Sequence, residues 1–418
     1  MELIPVLCPC CKGQLKIPND ANKFFCNHCG TQIIASNSDL KNIKVEGIVQ
    51  TRSADFDIQG GVLKGYHGES VHVVIPEGVK KIDAKCFEGM MIESVIVPDG
   101  VTIFESSVFQ WCSNLKKVIL PRTMADIGWN TFSGCKELRE VEMPDGIKSI
   151  PHYAFHGCES LIKIIIPSSC KTIGDSAFAG CSSLKEVEWK GCCDAIKQHV
   201  FRDCFSLEEI TIPEGVKELE EGLFQDCKNL KYVHLPKTLE RIGMRTFCGC
   251  QKLERIEVPE GVEWISHGTF ANPLKEISLP ASLNDLVWYA FCVNHDADDF
   301  LSNNAFETLE VIHLKSNKHI NDCLLKMKKL KMVYCNNVPV DWSYIAKFCG
   351  KDFCSTILSD RYEVYSPWRE YLIKQEQEIQ KRMQRRHCPK CDISLKSVKL
   401  FDKSEMYCPK CNTKVSYK

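Results

Sequence analysis

Eight cysteines stand in four C-x-x-C pairs, two pairs near each end of the chain. Cys8 and Cys11 are separated from Cys26 and Cys29 by 14 residues, and Cys388 and Cys391 from Cys408 and Cys411 by 16. A tetrahedral Zn²⁺ takes four thiolates, and two such knuckles on facing hairpins supply them. Each end is therefore expected to hold one structural zinc, with redox use or accidental spacing as the alternative for any C-x-x-C. Cys10 and His28 lie inside the knuckles and are read as bystanders, because residues so close to the flanking pair cannot easily share its tetrahedron. No G-x-x-x-x-G-K-[ST], G-x-S-x-G or H-E-x-x-H occurs. The sequence thus offers no motif for phosphate cradling, a serine nucleophile or zinc hydrolysis, and no enzyme is expected.

The knuckles need hairpins, and Gly30, just after the second knuckle, permits a tight turn there. Asp392 and Asn412 take that place at the other end, and both types tolerate the left-handed conformation better than most. Both ends resemble zinc ribbons, predicted over 1–36 and 387–418.

Between them the chain is periodic. Phenylalanines recur at 87, 109, 132, 155, 178, 201, 224, 247, 270 and 291, and seven of the nine intervals are 23 residues. A period in the range of about 20–29 residues marks a solenoid, in which one turn buries its apolar side only when another stacks on it. Counting from each Phe, position +3 is Cys in seven consecutive turns, Cys112, Cys135, Cys158, Cys181, Cys204, Cys227 and Cys250. Position +6 is Leu in the same turns, +9 and +11 are apolar, +12 is Pro in six of the seven, and +18 is Ile or Leu. The segment L-x-x-I-x-I-P alternates with period two and predicts a strand, ended by a Pro that cannot donate to a ladder. Stacked strands then form a parallel sheet on one face. The Cys column is in one register on every turn, so it reads as a small buried filler rather than a disulfide ladder.

The unit A-F-x-G-C-x-S-L-x-x-I-x-I-P-x-x-x-x-x-I-G, repeated over roughly residues 60–290, resembles the BspA-like, or treponemal-type, leucine-rich repeats. With the periodicity, this implies a β-rich solenoid, a right-handed array of about 10–12 turns with a parallel sheet on one face. Members known for surface binding usually carry secretion signals. This chain begins without a basic n-region and apolar core, so an adhesin role is not expected to transfer.

The remaining boundaries follow from composition. Residues 37–43 are a polar linker, and 44–75, with Gly60, Gly61, Gly65 and Gly68, is a hairpin cap. The array is predicted over 76–336, a second cap over 337–360, and a helix over 361–386 that ends in Lys and Arg. An insert with Asp296, Asp298 and Asp299 is read as a solvated acidic loop rather than a Ca²⁺ site.

Positions +8 and +10 point outward from the strand. Lys117, Glu140, Lys163 and Glu186 alternate in sign, as a cross-strand charge ladder requires. In later turns Glu209, Thr211, Tyr232, His234, Arg255 and Glu257 form a mixed set rich in the residue types of binding hot spots. The leading reading is a zinc-stabilised scaffold that binds a protein partner there. The alternative is nucleic-acid contact through the basic helix and ribbon, residues 381–414, since 361–418 holds 14 Lys+Arg against 7 Asp+Glu. No run of 18 apolar residues occurs, so no membrane span is expected. Zinc thiolates and a column of thiols together predict a reducing compartment, the cytoplasm.

Overall fold

Each period of about 23 residues closes one turn that packs on the turn before it. The computed structural model describes residues 53–284, 288–291, 308–316 and 329–340, positions 324, 327, 374 and 377, and six short strands nearer the chain ends. It is a β-solenoid of about 11 turns with parallel sheets and almost no helix. The chain divides into two units, Met1–Lys252 and Leu253–Lys418.

In the first unit, strands of successive turns pair in parallel and in register within ladders of four, two and two strands. Lys117–Ile119 lies between Ser94–Ile96 and Glu140–Val141. Lys163–Ile166 pairs with Glu186–Trp189, and Glu209–Thr211 with Tyr232–His234. The +9 side chains Val118, Val141, Ile164 and Ile210 are buried, as period-two alternation demands. These strands fall into separate ladders rather than the single sheet expected. A second ladder was not anticipated. Ser149–Ile150, Thr172–Ile173, Ala195–Ile196, Glu218–Leu219 and Arg241–Ile242 also pair in parallel, one two-residue strand per turn. Two residues are too few to show a period, so only the buried Ile or Leu at +18 betrayed this strand in the sequence.

The core between the ladders is built from columns. Phe87, Phe109, Phe132, Phe155, Phe178, Phe201, Phe224 and Phe247 are fully buried, with successive ring centroids 5.1 to 5.8 Å apart and planes within 18°. The turn beside them is a ladder of its own: the amides of Phe109, Phe132 and Phe155 donate to the carbonyls of Thr131, Ala154 and Ala177 on the next turn. Each turn enters and leaves this segment through left-handed backbone at −2 and +2. The +2 column is mostly glycine, as at Gly134, Gly157 and Gly180 with φ of 75°, 69° and 74°, because a side chain there is strained.

Two hairpins flank the described parallel ladders. Phe56–Gln59 runs antiparallel to Val62–Tyr66, which in turn pairs in parallel with Lys81–Ile82. The array itself begins earlier than residue 76, since His72–Val74 already pairs in register with Ser94–Ile96. In the second unit Arg255–Glu257, Glu276–Leu279, Val311–Leu314 and Met332–Cys335 form a parallel ladder. Val338–Val340 folds back antiparallel on Met332–Cys335 through Asn336 and Asn337, both at positive φ, the geometry of a tight hairpin. An antiparallel strand of this kind blunts an edge that would otherwise template pairing.

Candidate interaction surface

Four of the six predicted contact residues come together on the first unit. Glu209 and Thr211 are register partners of Tyr232 and His234. His234 Nε2 lies 2.9 Å from Glu209 Oε1, a diagonal contact that orders both side chains. Tyr232 stands beside them at 61% exposure. Arg255 and Glu257 belong to the second unit. There Arg255 Nε reaches Glu276 Oε2 at 3.2 Å, and Glu257 lies 4.0 Å from Lys315 Nζ. Sequence reasoning missed the group around Glu276: its other oxygen is 3.0 Å from His313 Nε2, and the His313 ring stacks on Tyr334 with centroids 4.7 Å apart. The insert before Val311–Leu314 breaks the repeat count that would have brought His313 and Glu276 together.

The charge ladder is real but partly misplaced. Lys163 Nζ is 2.6 Å from Glu186 and 2.9 Å from Glu188. Lys190, which replaces the strand-ending Pro, also pairs with Glu188 and, with Lys163, holds its carboxyl down to about 2. Lys117 and Glu140 are register partners, with no ion pair between them among the described contacts. The fuller set of pairs lies one residue earlier, at +7: Lys116 with Glu93 and Lys231 with Glu208 in the first unit, Lys275 with Glu254 and Lys331 with Glu310 in the second. Long side chains at the strand entrance meet there, a geometry that alternation alone does not reveal.

The cysteine column is more than filler. Each thiol donates to the carbonyl of the phenylalanine one turn back: Cys112 to Phe87 at 2.9 Å, Cys135 to Phe109 at 3.1 Å, Cys158 to Phe132 at 3.2 Å, and so on to Cys250 on Phe224 at 3.1 Å. Burial pushes the Cys112 thiol up to about 12 and raises those of Cys135 and Cys158 well above the ordinary thiol range, so these sulfurs are neither nucleophiles nor metal ligands at neutral pH. In the shortened turn of the second unit, which lacks the cysteine, the buried Asn272 amide donates to the Leu253 carbonyl at 3.1 Å.

The eight knuckle cysteines, Cys8, Cys11, Cys26, Cys29, Cys388, Cys391, Cys408 and Cys411, lie outside the described residues, as do the acidic insert and most of 341–405. Their flanks are described. Leu3–Leu7 pairs antiparallel with Gln14–Pro18 around Cys8 and Cys11, and Lys23–Phe25 with Gln32–Ile34 around Cys26 and Cys29. Met406–Tyr407 pairs with Lys414–Val415 around Cys408 and Cys411. Of the predicted helix at 361–386, Lys374 and Gln377 are described and both are helical. No described helix is long and apolar enough to cross a membrane.

Stacked turns with a parallel ladder, a leucine column and an asparagine- or cysteine-satisfied backbone define a leucine-rich-repeat protein. Comparison with protein families agrees: the BspA type leucine rich repeat region matches in 6 copies, over residues 66–161, 103–231 and 194–321. The chain belongs to that family. Comparison with curated proteins gives no match. Among solved structures it is similar to a leucine-rich repeat protein from Bacteroides ovatus ATCC 8483, with 23% identity, a TM-score of 0.52, and coverage of 66% of this chain and 71% of that one. It is also similar to the T. pallidum leucine rich repeat protein, at 30% identity and TM-score 0.35, covering 49% of this chain and 90% of that one. A leucine rich cell surface protein from Faecalibacterium prausnitzii A2-165 is 20% identical, with TM-score 0.33 and coverage of 66% and 94%.

Proposed function

We propose that this protein is a non-catalytic cytoplasmic scaffold that binds a protein partner on the outward face of its sheet, with each end held by one structural zinc ion. The observation that carries the partner reading is Tyr232, a large aromatic left 61% exposed beside an ordered Glu209–His234 pair. A rigid array fixes such side chains in advance, which lowers the entropy lost on binding. The non-catalytic reading is supported by the seven repeat-column thiols, which are buried and protonated. Two hairpins bracketing Cys8–Cys11 and Cys26–Cys29 in sequence suit a tetrathiolate centre, and four thiolates are the donor set zinc prefers. Zinc there would stabilise the ends of the chain. The cytoplasmic assignment rests on those thiolates and on the reduced column.

The rival reading is nucleic-acid contact through 381–414, supported by the net positive charge of 361–418. Affinity capture from the native host, with and without nuclease, separates the two. Partners that survive nuclease and are lost on Tyr232→Ala support the scaffold; loss of every partner to nuclease rejects it.

A further inference from the structure

The turn face of the first unit carries large side chains where the repeat needs none. Among the described residues three tryptophans are exposed, Trp111, Trp129 and Trp264, and the first two sit on neighbouring turns. Trp111 is 58% exposed at φ 64°, in a +2 column otherwise held by glycines and by the short Asp203 and Asp226. Tyr153, in the −2 column, is 42% exposed at φ 58°. Left-handed backbone is strained for bulky residues, and neither ring contributes to the core.

Contacts join these rings into one strip. The Trp111 ring lies over Gly134, where an added Cβ would come within 2.7 Å of it. The Gly134 amide donates to the His156 carbonyl, and the His156 ring meets Tyr153 at 5.8 Å. Next to Tyr153, His152 meets the Trp129 ring edge-on at 5.2 Å. The strip is electrically quiet. Partial desolvation holds the His156 imidazole below its ordinary pKa despite the opposing field of Asp203. The charges on these turns are paired: Asp175 with His152 at 2.9 Å, Lys136 with Glu159, Lys85 with Glu88, and Lys81 with Glu105.

Its hydrogen-bonding character is one-sided. An indole Nε1–H only donates, and neither Trp111 nor Trp129 gives it to a partner among the described contacts. The neighbouring carboxylates are already engaged, Glu88, Glu105 and Glu159 by lysines and Asp175 by His152. That pattern suits a ligand with apolar ring faces, many carbonyl acceptors and few N–H donors. Proline has a carbonyl and no N–H, and its polyproline II helix leaves every carbonyl open while exposing flat apolar edges. Such helices dock on aromatic-lined surfaces at low entropic cost.

We infer that the strip formed by Trp111, Trp129, Tyr153 and His156 binds a proline-rich peptide segment in the polyproline II conformation. This rests on the protein being a binding scaffold but uses a surface other than the sheet face. The test is fluorescence anisotropy of a labelled deca-proline peptide titrated with the full-length protein. Saturable binding is expected, with at least a tenfold loss for Trp111→Gly and for Trp129→Ala and no change for Trp264→Ala. Trp111→Gly relieves the left-handed strain while removing the ring, so it should melt no lower than the parent. Absence of saturable binding, equal binding by Trp111→Gly, or displacement of the peptide by a β-glucan oligosaccharide would overturn the proposal. Tyr232→Ala should leave deca-proline binding intact, so failure of the sheet-face reading and failure of this one are told apart.

Discussion

Cys158 Sγ donates to the carbonyl oxygen of Phe132 at 3.2 Å, across one turn of the solenoid and inside the core. The same carbonyl also accepts the Cys135 amide at 3.1 Å, so the thiol supplies its second hydrogen bond, a contact worth about 0.5–1.5 kcal/mol net. Cys158→Ala should therefore destabilise the protein by about that amount, although it removes a single heavy atom. Urea denaturation checks it; a neutral result would return the column to simple filler. The same burial keeps the column unreactive. Of the described thiols, Cys192 is the exposed one, with Lys171 Nζ 3.1 Å from its sulfur. A thiol reagent on the native protein at neutral pH should modify Cys192 well before Cys112 or Cys158.

Phe178 is fully buried, with Phe155 at 5.3 Å on one side and Phe201 at 5.8 Å on the other. Phe178→Ala should cost about 3–5 kcal/mol. Because each turn contacts chiefly its neighbours, hydrogen exchange should quicken most in the adjacent turns and fade with distance. Uniform loss of protection along the whole array would contradict this.

Elemental analysis of metal-replete protein should find two zinc ions per chain, and Cys408→Ser should lower the count to one. Thiolate ligation is coupled to local folding, so a chelator should loosen the ends and leave the repeats folded. A parent protein that binds one ion or none removes at least one site.

Glu188 titrates near 2 because the Lys190 ammonium, and then that of Lys163, favours its charged form. A carboxylate with a lowered folded pKa stabilises the fold above its unfolded pKa, and the effect disappears as pH falls toward 2. The pair is exposed, so the stability change should be small and weaken with salt. NMR titration should place the carboxyl of Glu188 back toward the ordinary range in Lys190→Ala. An unchanged midpoint would show that Lys190 is not the cause.

Tyr232→Ala should weaken capture of the protein partner without lowering the melting temperature, since the side chain points to solvent and its loss opens no cavity. Lys117→Ala, on the same face, is the control. Arg385→Ala combined with Arg386→Ala tests the basic segment. If that pair abolishes capture and Tyr232→Ala does not, the contact lies at the C-terminal end.

The one-dimensional part of this protein was legible without coordinates. A fixed period means that every residue type in a column meets its own kind one turn away, so the Phe stack, the buried Leu and Cys columns, the register of Lys163 with Glu186 and the hairpin at Gly60–Gly61 all followed from spacing. Features that depend on how far a side chain reaches, or which way the backbone turns between strands, did not. The two-residue ladder through Ile150 and Ile173 is too short to carry a pattern, and the thiol bond to the preceding Phe carbonyl runs between residues 26 apart. Arg255 and Glu257 were grouped with Tyr232 by column number, whereas their described partners, Glu276 and Lys315, lie beyond a shortened turn and an insert that broke the count. The aromatic strip was hidden for a related reason. Trp111, Trp129 and Tyr153 occupy different columns, so no single spacing groups them, and two of the three stand at left-handed positions that the repeat pattern does not announce.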